Sequence, residues 1–600
     1  MKKEIQWNHT EVIVEVCCIV LVGLFDLSLC WMEGMLAYHK ILVVLVNVVG
    51  GIVFPWLLLH VAWTRNALEK ALADLGQGWQ NIRKDHRKII KYAACYVGLW
   101  LGLGVIVRLA TLGAVFPWWK YYFFAGVVSL ILTFWLVRRQ MAEKTEWAFA
   151  ATALILGMTF ILSSPRIVGV CWDDETHFVR TISIVSMFDS VKYEAENKLV
   201  EDFPQLNQQI TDKTYSYESL REYSQTLDGL YDRAHADNQE VLRPYDEATI
   251  GYKSLGGIYS IAYIVPAIAI IIGKGLHLSF AHVFLLGQIS ILLAYTMIIY
   301  YAIKRLRYGK ILMSVIALLP TSMVLASSYS YDWWVIALTL AGTSYYIGNL
   351  QRPEETLQYR DLFMMVACFA LSIMPKWVYC VMLLPLFFFP KEKFKDKRQR
   401  GVWYAFLIGG MAIIFFLFVL PVLHHGLGMG DTRGGEGINA SEQLWWILQL
   451  PGSYLQKLIG FMAGYLGFNV APLYTTNMGY LGQGDYGILL LILIAVILYL
   501  DRGEEKRKVT WLRISQWVTF LILVAVIVTV FYLVYTPVGG QVLQGCQGRY
   551  LLPVLFPLAY SLGIDGISIK FDKNHMVMAA LGLTSLVFLL DYYTLYISYL

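Results

Sequence analysis

Charge is scarce in this chain. Asp, Glu, Lys and Arg make up 15% of its 600 residues, where a soluble domain carries about 25%. Together with a hydrophobic content of 58%, that shortage excludes an ordinary soluble enzyme. Paired cysteines are missing as well. The eight cysteines form no CxxC pair and no ligand spacing, so neither a zinc site nor a disulfide scaffold is indicated. Six of them, Cys17, Cys18, Cys30, Cys95, Cys368 and Cys380, sit in or beside apolar runs as small core hydrophobes. The alternating ten-residue segments of a transmembrane barrel are absent. The first apolar run has no small-residue cleavage site, so it reads as a span and not as a removed signal.

What the chain does have is apolar runs of roughly 17 to 25 residues from end to end, each able to cross a hydrocarbon core of about 30 Å. The expected fold class is therefore an all-α polytopic membrane protein. The net charge of +5 is small, so topology follows from where Lys and Arg sit. Runs at 11–32 and 40–63 precede a basic segment with Arg65, Lys70, Arg83, Lys84, Arg87 and Lys88, which places that segment and the N-terminus inside. Runs at 92–110 and 121–138 return to Arg138 and Arg139, and a run at 147–163 leads out.

Residues 164–253 then hold 17 acidic against 9 basic side chains, which belongs outside. The stretch 255–273, with Pro266 and several glycines, reads as a juxtamembrane helix on the outer surface. Only then does the run at 281–302 end inside, at Lys304, Arg305, Arg307 and Lys310. Further spans are expected at 311–328, 333–349 and 401–421. Between them, short runs at 362–374 and 378–390 form a broken or re-entrant pair around Met374, Pro375, Lys376 and Trp377. A second long outer loop covers 422–484, and runs at 486–500, 511–535, 551–566 and 576–598 complete about 13 to 15 spans. No inverted repeat of the transporter kind is visible.

Polar residues gather at the outer ends of these spans: Asp173, Asp174, Glu175 and His177; Tyr331 and Asp332; Lys376; then Gln547, Arg549 and Tyr550. Gathering on one face points to one site. Crowded carboxylates beside apolar surface can raise one pKa and make that group a better base, although three acids also suit the start of a helix. Arg549 at the mouth of a span can grip a phosphate bidentately or simply anchor at the headgroups. Asp332 fits a helix cap equally well. Adjacent His424 and His425 point to different sides of a regular element and make poor metal ligands.

Four motifs in order carry a resemblance: Asp173-Asp174-Glu175-Thr176-His177-Phe178, Ser330-Tyr331-Asp332, Pro375-Lys376-Trp377-Val378-Tyr379 and Gln547-Gly548-Arg549-Tyr550-Leu551-Leu552-Pro553. Together they resemble the bacterial membrane proteins grouped as domain of unknown function 2142, which are similar to the GT-C class of glycosyltransferases. The likeness covers residues 147–600 and leaves 1–146, about four spans, as an N-terminal extension. It implies a GT-C-like helix bundle whose large outer loops, 164–253 and 422–484, carry juxtamembrane helices. It also implies an inverting transferase in the bacterial plasma membrane, with its active site on the extracytoplasmic face.

The partners that follow are a polyprenyl-phosphate-linked sugar as donor, an envelope glycan or lipid as acceptor and the bilayer itself, with no nucleic acid. No cofactor is named by the likeness, which leaves room for a divalent metal but assigns it no ligands. The catalytic carboxylates fall on Asp174 and Glu175 in one alignment and on Asp173 in another register. Substrate binding falls on His177, Tyr331, Asp332, Lys376, Gln547, Arg549 and Tyr550, with Trp172 and Trp377 as further stacking surfaces. A transporter or flippase, or a polymerase, of lipid-linked oligosaccharide is the alternative. Such a protein needs ionisable groups near the bilayer midplane, and the spans hold few.

Overall fold

The computed structural model describes residues 47–60, 86–112, 114–185, 194–236, 261–414, 437–467, 469–501, 510–563 and 572–600, with isolated positions elsewhere. Most of the first two expected spans, and His424 and His425, lie outside the described residues. Helices dominate, and no strand occurs among the described residues. Contacts divide the chain into two compact units: Met1–Leu132 with Ile161–Ile291 and Leu600, and Thr133–Phe160 with Leu292–Tyr599.

The first unit draws on α1 (His86–Ala110), α2 (Trp118–Val137), α3 (Thr145–Ser163), α4 (Asp174–Val185), α5 (Glu194–Glu201), α6 (Phe203–Asp212), α7 (Tyr217–Ala236), α8 (Ile264–Gly275) and α9 (Phe280–Arg305). Of these, α2, α3 and α9 have residues in both units. Helices α4 to α7 belong to the polar loop and carry one apolar stripe each: Leu199 of α5, Leu206 and Ile210 of α6, and Leu220, Leu227 and Tyr231 of α7 are all buried. At 12 residues, α8 is roughly 18 Å long, too short to cross a bilayer. It packs on α4, and its Lys274 meets Glu196 of α5 at 2.7 Å with both side chains almost fully buried.

The second unit adds α10 (Lys310–Ala317), α11 (Pro320–Ala326), α12 (Asp332–Leu350), α13 (Tyr359–Ile373), a 3-10 helix at Trp377–Phe388, α14 (Lys397–Ile414), α15 (Ala440–Gln449), α16 (Pro451–Tyr465), α17 (Gly487–Leu500), α18 (Thr510–Tyr535), α19 (Leu552–Leu562) and α20 (Lys573–Leu595). Caps set several of these starts. Asp501 accepts the N–H groups of Ile311 and Leu312 at 2.6 and 3.2 Å and closes the open end of α10, so burial pushes its pKa up while those amides pull it back. Asn439 caps α15 through the N–H groups of Ser441 and Glu442.

Six helices among the described residues are long and apolar enough to span: Ile90–Ala110, Trp118–Val137, Thr145–Ser163, Phe280–Arg305, Arg513–Tyr535 and Lys573–Tyr599. The chain is thus an all-α membrane protein. Among the other apolar runs, 333–349 forms one continuous helix, α12, while some are short or interrupted, and the interruptions have local causes. The run at 311–328 is split into α10 and α11 because Leu319 turns extended (φ −50°, ψ 140°) ahead of Pro320. The run at 378–390 is a 3-10 helix with Pro385 inside, and α19 carries both Pro553 and Pro557. Apolar content alone does not report these breaks.

Candidate functional site

In the second unit, the chain leaves α13 at Ile373 and enters the 3-10 helix at Trp377, and Lys376 sits at the break with φ −140° and ψ 87°. Proline at 375 makes that break obligatory, since it cannot continue the hydrogen-bond ladder. Nearby, Trp334 of α12 donates to the carbonyl of Leu371 at 2.8 Å and ties α12 to the end of α13. Asp332, the first residue of α12, donates its N–H to Ser330 Oγ at 3.1 Å.

The segment before α19 is held from three sides. Tyr465 donates its hydroxyl to the carbonyl of Gln547 at 2.7 Å, Tyr379 donates to the carbonyl of Tyr550 at 2.8 Å, and Gly548 lies against the ring of Tyr474, where a Cβ would fall 1.8 Å from Cδ1. Tyr474 cannot swing aside freely, because its hydroxyl is bonded to the carbonyl of Tyr465 at 2.8 Å. Gly548→Ala is therefore expected to cost about 1–3 kcal/mol by overpacking, which a lowered thermal midpoint of the purified protein would report.

These constraints bring Asp332, Lys376 and Arg549 together. Lys376 Nζ is 2.5 Å from Asp332 Oδ1, and Arg549 Nε is 3.4 Å from Asp332 Oδ2. Aromatic rings line the group. Lys376 Nζ stands 4.2 Å from the Tyr550 ring centre and 4.9 Å from that of Tyr331, and Arg549 Cζ is 5.4 Å from the Tyr550 ring. Tyr550 in turn stacks on Phe531 at 5.2 Å. Cations over aromatic faces are held by the ring quadrupole. Gln547 is half-buried beside this group. Cys546, one residue earlier, has its thiol pushed up to about 12 by burial; slow alkylation at pH 8 in the folded protein, read by mass spectrometry, is the expected result.

The acidic motif lies in the first unit. Asp174, the first residue of α4, is buried, and both its oxygens accept backbone N–H groups: Oδ1 from Gly169 at 2.7 Å, Oδ2 from Val170 at 3.1 Å and Cys171 at 2.9 Å. Burial and the charge of Glu175 push its pKa well above the usual carboxylate range, and the three amides work in the opposite direction. Gly169 has φ +99° and packs against the backbone of Asn207, so the turn that presents those amides needs a glycine. Asp173 is left-handed at φ 55° and its side chain is only half-buried. The Thr176 hydroxyl donates to Glu175 Oε1 at 3.2 Å, and Glu175 Oε2 is buried. His177 Nδ1 and Tyr263 Oη share a hydrogen bond of 2.8 Å, with Arg180 Nη1 donating to the same hydroxyl at 3.5 Å.

Tyr331, Asp332, Lys376, Arg549 and Tyr550 thus form one cluster within the second unit, and Asp173, Asp174, Glu175 and His177 adjoin one another within the first. Tyr263, Tyr465, Tyr474 and Phe531 were not singled out from the sequence. Their roles depend on ring placement and hydroxyl reach, and a tyrosine next to a membrane reads the same whether it anchors or supports a turn. Among the described residues, no group of three or more His, Cys, Asp or Glu side chains gathers closely enough to hold a metal ion.

Residues 154–558, more than half of the chain, match a family described as predicted membrane protein (DUF2142). The chain belongs to that family. No curated protein and no solved structure matches it. The matched span begins inside α3 and ends in α19, and both clusters described above fall within it.

Proposed function

We propose that this DUF2142 protein is an inverting glycosyltransferase that moves a sugar from a polyprenyl-phosphate donor to a hydroxyl of an envelope glycan or lipid, on the outer face of the bacterial plasma membrane. The observation that carries the reading is the pair of cations, Lys376 and Arg549, held over tyrosine rings at the start of apolar helices. A guanidinium and an ammonium so placed suit a phosphate, and the rings beside them suit a sugar face or a prenyl chain.

In this reading the acceptor hydroxyl gives its proton to a carboxylate, and its oxygen forms a bond to the anomeric carbon. The bond from that carbon to the phosphate oxygen breaks, and the phosphate leaves with the electron pair. Lys376 and Arg549 stabilise the charge that grows there. Within the acidic motif of the first unit, Asp173 suits the role of a base better than Asp174. Asp174 already spends both oxygens on backbone amides, whereas the side chain of Asp173 is half-buried.

The test is incubation of the purified full chain, in lipid nanodiscs, with radiolabelled polyprenyl-phosphate sugars and envelope acceptors. Transfer of label to an acceptor is the expected outcome. Release of no label from any donor, by protein that is demonstrably folded, removes the proposal.

A further inference from the structure

Asp332 stands between two cations that come from distant parts of the chain. Its Oδ1 meets Lys376 Nζ at 2.5 Å and its Oδ2 faces Arg549 Nε at 3.4 Å. The side chains of Asp332, Lys376 and Arg549 are 9%, 13% and 4% exposed, so water screens their mutual interactions poorly. The formal charges of the three groups sum to +1. An acidic residue in the first turn of α12 suits the helix dipole, but the dipole does not explain why the carboxylate engages a lysine and an arginine at once.

The consequence for a ligand follows from charge. An anion with one negative charge, brought against Lys376 and Arg549, neutralises the three groups. An anion with two must place its second charge near a carboxylate that the fold keeps in place, and two like charges a few ångströms apart in poorly screened surroundings repel strongly. Asp332 has little room to withdraw, since its N–H is tied to Ser330 Oγ and the same first turn of α12 is pinned by Trp334 to the carbonyl of Leu371.

We propose that Asp332 is a specificity-determining residue that makes the site accept a prenyl phosphodiester, with one negative charge in its linkage, in preference to a prenyl diphosphate diester with two. The inference rests on the reading above that Lys376 and Arg549 hold a lipid-linked phosphate, and it goes further by naming the residue that sets the preference for a single charge. Asp332 acts here by subtraction: it cancels one of two positive charges and so sets how much negative charge the site takes. Selection against a ligand by a fixed like charge is a general route to specificity.

The probes are geranyl methyl phosphate, with one charge, and geranyl methyl diphosphate, with two, so that the prenyl chain is the same and no sugar has to be guessed. Binding of each to the purified full chain is measured by calorimetry. The wild type is expected to bind the phosphodiester more tightly. Asp332→Asn should improve diphosphate affinity by roughly tenfold or more relative to the phosphodiester, and Asp332→Glu, which keeps the charge, should keep the wild-type preference.

A wild type that prefers the diphosphate overturns the inference, as does an Asp332→Asn protein in which both affinities move by the same factor. Either result leaves phosphate binding at Lys376 and Arg549 standing. A wild type that binds neither probe removes that wider reading as well. The wild-type preference is read without any variant, so poor folding of Asp332→Asn does not protect the inference from refutation.

Discussion

Arg549→Ala is expected to abolish detectable binding of prenyl phosphate and to lower sugar transfer by roughly 10² to 10³. The guanidinium is 4% exposed and lies 3.4 Å from Asp332, so it acts where electrostatic interactions are strong, and in the proposed transfer the leaving phosphate gains charge as the glycosidic bond breaks. Losing a group that binds both ground and transition state should raise KM and lower kcat together. Arg549→Lys should recover only part of the loss, because a point charge cannot reproduce the planar fork.

The backbone at 549 should survive these changes. Tyr465 holds the carbonyl of Gln547, Tyr379 holds that of Tyr550, and Gly548 packs under Tyr474, none of which involves the guanidinium. Removing one partner of a buried ion pair still costs about 3–5 kcal/mol, so Arg549→Gln, which retains hydrogen-bonding capacity, serves as a second variant, with the thermal midpoint measured for both. Prenyl phosphate binding at wild-type strength in a folded Arg549→Ala protein would rule out the phosphate role of this arginine.

Much of the second cluster was legible from the chain. Ser330-Tyr331-Asp332, Pro375-Lys376 and Gly548-Arg549-Tyr550 each combine an ionisable residue with a helix breaker or a helix start beside an apolar run. In a membrane protein such residues are expensive unless they meet one another. What the sequence could not supply was the partner assignment. That Asp332 engages both Lys376 and Arg549 depends on a turn at 374–376 and on three tyrosines, and none of those contacts is local.

Breaks inside apolar runs were less legible than fold class. Hydropathy reads Pro320 or Pro385 as a small dip in an apolar run, yet each changes backbone geometry. The acidic motif shows the same limit on a smaller scale. Three adjacent carboxylates look equivalent in the sequence, and only the turn at Gly169 separates them: it aims three amides at Asp174 and leaves Asp173 at φ 55° with a half-buried side chain.

That separation predicts that two neighbouring, chemically identical substitutions fail for different reasons. Asp174→Asn puts an amide where a carboxylate accepted three N–H groups. Its one oxygen can serve only some of them, while its own NH2 faces donors, and each buried donor left unmet costs about 1–3 kcal/mol. The turn at 169–171 should therefore open, with faster amide exchange at Gly169, Val170 and Cys171, and transfer should fall as a result. Asp173→Asn should leave that exchange unchanged, because asparagine tolerates the left-handed region as aspartate does and the three amides of the turn are bonded to Asp174. In the proposed mechanism it removes the proton acceptor, so transfer should drop by roughly 10² to 10⁴ with donor affinity nearly constant. Full transfer activity in Asp173→Asn, alongside intact amide protection and lost activity in Asp174→Asn, would return the role of base to Asp174. If neither variant nor Glu175→Gln affects transfer, the motif serves only to start α4, where carboxylates favour the positive end of the helix dipole.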